Sequence, residues 1–429
     1  MEDNNKNITS LIPIVSHDLV RIDNLLTLTN KLIFSGIEAL FNEAFYLINS
    51  ENIKRNEENF YFLLYYNPNY SRKGKFKFKA NLIDDYKKAI DLFNQVIDIK
   101  PNKFAYNYCA IARHKLKDLA GALMDFTKAI ELDPNYAIAY CNRGSLKDDL
   151  NDSEGALEDY NKAIELSPNY ATAYYKRGNS KDELDDYSGA IEDFTKSIEL
   201  DPYFAAAYFK RGNSKLNNEN YGAALEDFTK SIELDPEDDA AYFNRGISKN
   251  ELKDYEGAIK DFTNAIELDP KYAKAYNNRG DSKNKLKDYE GAIGDFTKTI
   301  ELDPTDATAY FKRGDSKGKL KEYKDAIEDY TQGIELDQNE PIAYYVRGRL
   351  KAILKDYENA IEDYTKVIEL DPNYADAYNF RGNSKDSLKD YEGALEDYNK
   401  AIELGTNYEK AYYNRDRLKE KIKNIKSFN

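Results

Sequence analysis

The sequence predicts an all-α solenoid built from two-helix hairpins, and three observations carry that prediction. The strings "AIELDP" and "RGNSK" return at a fixed step of 34 residues. Small and aromatic residues recur three and four positions apart inside each period, which is helical spacing. Short Asp-containing and Asp-Pro segments punctuate the apolar runs at regular places. A repeat array grows as one unit, so the 429-residue length does not by itself call for several domains.

The period is marked by Pro134, Pro168, Pro202, Pro236, Pro270, Pro304 and Pro372, with Gln338 and Thr406 in the same slot. With Ala137 as position 1 and Pro168 as position 32, nine units tile residues 103–408. In the first helix of a unit, Ala139, Tyr140 and Gly144 share a face; in the second, Ala156, Tyr160, Ala163 and Ile164 do. Asp152 and its equivalents Asp186, Asp254, Asp288, Asp356 and Asp390 stand just before the second helix, where a carboxylate accepts from free backbone N–H groups. The Asp-Pro pair is expected to open the next helix, with Asp201 capping and Pro202 in the first turn. Gly212 facing Ala224 is expected to let the two helices of a hairpin approach closely.

The aromatic, Gly, Ala, aromatic, small and Pro pattern of Tyr208, Gly212, Ala224, Phe228, Ser231 and Pro236 resembles the tetratricopeptide repeat family. So does that of Tyr140, Gly144, Ala156, Tyr160, Ala163 and Pro168. The resemblance covers residues 103–408. It implies a right-handed superhelix of hairpins with a concave inner groove, and a protein or peptide as partner. Two slots depart from the family pattern: Arg stands for its Leu and Lys for its Tyr. The family's clamp for chaperone C-terminal carboxylates needs Lys at position 5, which no unit has, and Lys274 is followed by Asn278 rather than Arg. That ligand is therefore disfavoured.

The ends are less regular. Residues 1–102 form an N-terminal helical region, in which residues 84–100 match the second helix of a degenerate repeat through Tyr86, Ala89, Phe93 and Pro101. Residues 56–66 are candidates for its first helix, and residues 17–50 for one or two more. Residues 409–429 hold a C-terminal capping helix, since an open array needs a polar outer face.

The arginine slot has an aspartate counterpart. Arg143, Arg177, Arg211, Arg245, Arg279, Arg313, Arg347, Arg381 and Arg415 each lie 18 residues after Asp125, Asp159, Asp193, Asp227, Asp261, Asp295, Asp329, Asp363 and Asp397. An arginine could face the Asp of its own unit or of the preceding one. The ends of the array favour the preceding one, because Cys109 and Leu92 would then meet as two apolar residues. An inter-repeat ladder from Asp125–Arg143 to Asp397–Arg415 is the expectation. The recurring lysine (Lys147, Lys181, Lys215) shows no partner series and is expected to snorkel over the hairpin.

Chemistry is nearly absent from the pattern. His17 and His114 are the only histidines, Cys109 and Cys141 the only cysteines, and the carboxylates follow the structural period. No catalytic residue, metal ligand or cofactor is implied, and the protein is read as no enzyme. The net charge of −15, concentrated in the repeats, disfavours nucleic acid and anionic membrane as partners. The acidic, polar start, the Glu38 and Glu43 that interrupt the apolar stretch 32–48 and the two cysteines lead to a cytoplasmic expectation. A short basic and aromatic stretch at residues 72–79 reads as a solvated hairpin loop, with contact to nucleic acid or anionic lipid as the alternative.

The face of the first helix opposite the packing residues varies between units where the core does not. It offers Tyr175, Lys176, Asn179, Phe209, Lys210, Asn213, Phe243, Asn244, Asn277, Asn278, Asp281, Phe311, Lys312 and Asp315 as a peptide-binding surface. Aromatics supply rigid contact area, and Asn bonds a peptide backbone as donor and acceptor. The function expected is an interaction scaffold that binds a peptide or partner protein in its groove. The alternative is a regulatory or targeting subunit whose residues 1–102 make the specific contact while the array acts as a spacer.

Overall fold

The computed structural model describes residues 82–405 and 409–428, so the candidate helices within residues 17–66 and the basic stretch 72–79 lie outside the described residues. Every described element is a helix, twenty in all, and no strand occurs among them. They fall into two compact units, which divide after Asn220.

The first unit opens with α1 (Leu82–Ile99), followed by α2 (Lys103–Lys115), α3 (Leu119–Leu132), α4 (Ala137–Asp149), α5 (Ser153–Leu166), α6 (Ala171–Glu183), α7 (Tyr187–Leu200) and α8 (Ala205–Asn217). The second opens with α9 (Tyr221–Leu234), α10 (Asp239–Glu251), α11 (Tyr255–Leu268), α12 (Ala273–Lys285) and α13 (Tyr289–Leu302). It continues with α14 (Ala307–Lys319), α15 (Tyr323–Leu336), α16 (Pro341–Ile353), α17 (Tyr357–Leu370), α18 (Ala375–Ser387), α19 (Tyr391–Leu404) and α20 (Glu409–Phe428). Within each unit, helices pack as hairpins and each hairpin stacks on the next, which makes the chain an all-α solenoid.

The core repeats as the sequence does. The Ala at position 3, the Ala at position 20 and the aromatic at position 24 are buried throughout, as in Ala139, Ala156 and Tyr160 or Ala275, Ala292 and Phe296. Burying each such ring contributes about 2–3 kcal/mol, set against the entropy of ordering it. The recurring Gly of the first helix exists for that ring. A Cβ on Gly144, Gly178, Gly246, Gly280, Gly314, Gly348 or Gly382 would stand 2.6–3.0 Å from it. Helix approach is thus set by Gly against the aromatic, and at Gly314 and Gly382 also by the backbone of the facing Ala326 and Ala394 at 3.3 Å.

Each first helix ends on a residue in the left-handed region. Lys117, Asn151, Asp185, Glu219, Lys253, Lys287, Lys321, Lys355 and Lys389 have φ between 56° and 67°. The residue after each returns its N–H to a carbonyl five positions back, as Asp254 does to Lys249 at 2.8 Å, closing the helix in a Schellman turn. The next Asp then caps the second helix: Asp118, Asp152, Asp186, Asp254, Asp288 and Asp390 accept from the N–H of Gly121, Gly155, Gly189, Gly257, Gly291 and Gly393 at 3.0 Å. That glycine is required by the cap, because a Cβ there would lie 2.1–2.3 Å from the carboxylate. Where Asn359 replaces it, Asp356 caps no backbone N–H and instead accepts from the Asn359 side chain at 2.9 Å.

The Asp-Pro pair does not open the next helix. Asp201 is the C-cap of α7, Pro202 lies in the following turn, and α8 is capped by Phe204. Asp201 accepts instead from the N–H of Tyr203 at 3.2 Å, and Asp133, Asp235, Asp269, Asp303, Asp337 and Asp371 repeat this bond. A side-chain acceptor two residues before the donor turns the chain locally, and Pro is tolerated because that N–H is not needed.

At the C-terminal end, α20 lies on α19 with Leu418 fully buried beside Ala394 and Tyr398. Asp386 of α18 anchors it, accepting from Lys421 at 2.7 Å and Arg417 at 3.2 Å. No helix among the described residues is long and apolar enough to cross a membrane.

Candidate functional site

The recurring arginine belongs to its own hairpin. In seven repeats the guanidinium donates through Nε and Nη2 to both oxygens of the aspartate sixteen residues later, at 2.8–3.0 and 2.5–2.7 Å. The pairs are Arg143–Asp159, Arg177–Asp193, Arg245–Asp261, Arg279–Asp295, Arg313–Asp329, Arg347–Asp363 and Arg381–Asp397. The expected offset pairing is therefore overturned. The two ends of the array find other partners. Asp125 meets Arg113, which occupies the lysine slot of its repeat, with Nε 2.9 Å away, and Arg415 pairs with the adjacent Asp416 at 2.9 Å.

The lysine slot has a partner after all. Lys147, Lys181, Lys249, Lys283, Lys317, Lys351 and Lys385 reach the same aspartate at 2.8–2.9 Å. Each buried carboxylate thus holds two cations, and this explains two residue types that depart from the family pattern. A single-sequence comparison of one cation series with one anion series misses a two-to-one arrangement. The guanidinium also lies over the ring three residues before it, with 5.5–5.6 Å to the centroid, as for Arg177 over Tyr174.

Communication between repeats runs through the third arm of the guanidinium. Nη1 of Arg143, Arg211, Arg245, Arg279, Arg313, Arg347 and Arg381 donates to the Thr hydroxyl of the preceding second helix at 3.0–3.3 Å, and Arg177 donates to Asn161 at 2.7 Å. A second set of bonds joins successive first helices: Ser180 to Asp148, Ser214 to Asp182, Ser282 to Asn250 and Ser316 to Asn284.

The variable face is partly consumed by such contacts. Phe243 is only 8% exposed, packed on Phe262 and Tyr272 with centroids 5.7 and 4.8 Å away, so it belongs to the core and not to the contact surface. Tyr175 is half-buried between Phe194 and Phe204, and Phe311 stacks on Tyr330 in space that Gly333 leaves open. Aromatics at position 5 serve the stack because one helical turn brings them over the ring at position 24. Lys312 donates to Asp281 at 2.6 Å and Asn277 at 3.0 Å, Lys176 to Ser145 at 2.8 Å, and Asn278 to the Lys274 carbonyl at 2.8 Å. Asp315 is exposed and accepts from Tyr330 at 2.5 Å. Asn179, Phe209, Lys210, Asn213 and Asn244 are half-buried on the same face.

Burial pushes the Cys109 thiol up to about 12, and it pushes the Asp125 carboxyl upward as well. Among the described residues no group of His, Cys, Asp or Glu could hold a metal ion.

Family models described as tetratricopeptide repeat match residues 126–158, 171–204, 205–238, 240–272, 273–306, 307–340, 341–374 and 375–408, and one described as TPR repeat matches 149–181. Six of these matches begin on the first residue of a first helix. The chain belongs to the tetratricopeptide repeat family. As a tetratricopeptide repeat protein it is a protein-interaction scaffold, and its partner is a protein. Among solved structures, the C-terminal part of a TPR repeat-containing protein from Cytophaga hutchinsonii is similar at 21% identity, over 56% of this chain and 98% of that one, with a TM-score of 0.51. YrrB, a TPR protein with an unusual peptide-binding site, is similar at 30% identity over 43% of this chain and 95% of its own, with a TM-score of 0.40. Yeast Tom70 is similar at 16% identity over 79% and 93%, with a TM-score of 0.36. No curated protein matches the chain. Family membership accords with a non-enzymatic scaffold, the general role of tetratricopeptide repeats.

Proposed function

We propose that the protein binds a peptide or an extended segment of a partner protein along the face formed by its first helices. The nine repeats of residues 103–408 are the binding body in this reading, and α20 closes the array. One observation carries it. The hairpin and stacking positions are repeated almost unchanged, while positions 6 and 9 of the first helix change from repeat to repeat and keep part of their surface open to solvent, as in Asn179, Lys210, Asn244 and Asp315. A structural requirement would repeat with the period, and a recognition sequence would not.

Site-specific photocrosslinking tests this. A photoreactive residue at Asn179 or Asn278 should capture the partner in native cells, and one at the exposed Glu192 or Glu290 of the second helices should not. Capture that vanishes when residues 1–102 are deleted, with no crosslinks from either inner position, sinks the groove reading and leaves the N-terminal region as the contact.

A further inference from the structure

Helix α16 differs from the other first helices on the face they share. Position 9 is Ile111, Ser145, Asn179, Asn213, Ile247, Asp281, Asp315 or Asn383 elsewhere, and Arg349 here. Beside it stand Ile342, 59% exposed, and Val346. Arg349 is itself exposed, and its guanidinium carbon lies 5.7 Å from the Tyr345 ring centroid and 5.5 Å from that of Phe380. No carboxylate among the described residues forms an ion pair with it, whereas Arg347, two residues earlier, is bound by Asp363.

A second deficit sits at the same place. Tyr364 is fully buried against Tyr345 and Phe380, the two rings that flank Arg349, with centroids 6.3 and 6.2 Å away. Its hydroxyl has no hydrogen-bond partner among the described residues. In two other repeats the equivalent hydroxyl donates to position 9, Tyr330 to Asp315 at 2.5 Å and Tyr398 to Asn383 at 2.8 Å. Here position 9 is arginine, which can only donate. A cation without an anion and a donor without an acceptor therefore share one location.

We propose that Arg349 receives a carboxylate from the partner peptide, an Asp or Glu side chain flanked by apolar residues that lie on Ile342, Val346 and Phe380. Rings beside the guanidinium hold its planar fork ready for a bidentate carboxylate. The acidic residue is single, because the exposed Asp315 of the same face repels a longer acidic run, Asp281 being already paired with Lys312. The chain leaves the site toward α20 through a cleft of 510 Å³ lined by Phe380, Asn383, Lys410, Tyr413 and Asn414 among others. The proposal rests on the groove reading and names the chemistry that the groove selects.

The test is a library of randomised linear peptides selected in parallel on the full chain, on Arg349→Ala and on Arg349→Lys. The exposed arginine is replaceable without loss of fold, which circular dichroism verifies. Peptides selected on the wild type should carry one Asp or Glu between apolar residues. They should bind Arg349→Ala about tenfold or more weakly, and lose as much when the acid becomes its amide, as expected for a charge-assisted bond. Amide peptides that bind the wild type equally well, binders indifferent to Arg349→Ala, or failure to select any peptide would overturn the proposal. A phosphoserine in place of the acid that binds more tightly would overturn the carboxylate assignment. Binders that ignore Arg349 but crosslink to Asn278 leave the groove reading standing alone; binders that crosslink only within residues 1–102 remove both.

Discussion

Arg313 holds Asp329, sixteen residues further along the chain, through two parallel hydrogen bonds of 3.0 and 2.7 Å, while Lys317 reaches the same carboxylate at 2.8 Å. The carboxylate is buried, and it compensates two cations that are themselves largely removed from water. Removing it leaves both uncompensated. Asp329→Ala should cost about 3–5 kcal/mol, the range for breaking a buried pair from one side. Thr297→Val, which removes only the inter-repeat acceptor of Arg313, should cost about 0.5–1.5 kcal/mol. Urea unfolding of both variants measures this. A double-mutant cycle should find strong coupling of Arg313 with Asp329 and none with Asp295.

How much of this was legible in the sequence depends on what repeats. The hairpins, their core and the Asp caps follow from a period of 34 and spacings of three and four, and the helices stand where those patterns place them. The arginine partner was not legible, because sequence spacing offers both neighbours and the terminal repeats argued for the wrong one. Arg113 could have given the signal: the first repeat carries its cation one turn later, still within reach of Asp125. The position 5 aromatics misled for another reason. Variation marked them as surface, yet Phe243 and Tyr175 pack into the stack, where differing rings and a compensating Gly333 fill the same space.

The left-handed residue that ends each first helix offers a stabilising substitution. Lys253 has φ of 64°, a conformation that costs a residue with a Cβ about 1–2 kcal/mol. Glycine escapes that cost but loses more entropy on folding. Lys253→Gly should therefore raise stability by about 0.5–1 kcal/mol, and Lys253→Ala should not. Thermal and urea unfolding of the two variants decide between relief of strain and loss of the lysine side chain.

Two tyrosines at the same repeat position should respond oppositely to loss of the hydroxyl. Tyr398 donates to Asn383 at 2.8 Å, so Tyr398→Phe removes a satisfied bond and should destabilise by about 1 kcal/mol. The Tyr364 hydroxyl is buried without a partner among the described residues, so Tyr364→Phe in the unliganded protein should stabilise by about 1 kcal/mol. Equal losses in the two variants would show that the Tyr364 hydroxyl is satisfied in solution.

Asp125 gives the array a pH signature at its N-terminal end. It has Arg113 at 2.9 Å, yet Nε and Oδ2 are misaligned for a hydrogen bond and neither atom finds another partner among the described residues. Burial raises its pKa above the ordinary carboxylate value, with the Cys109 thiol and then the nearby Arg113 charge opposing the shift only in part. A carboxyl whose folded pKa is raised binds its proton more tightly in the native state. Its contribution to stability is fully present below the unfolded pKa, near 3.9 for Asp, and is lost as pH rises through the higher folded value. Asp125→Asn cannot ionise and escapes that loss. The variant should gain on the wild type between pH 3 and pH 7, read as the difference in urea midpoint at each pH. A wild type that instead gains on Asp125→Asn as pH rises would place the Asp125 pKa below its unfolded value and make Arg113 the dominant influence on it.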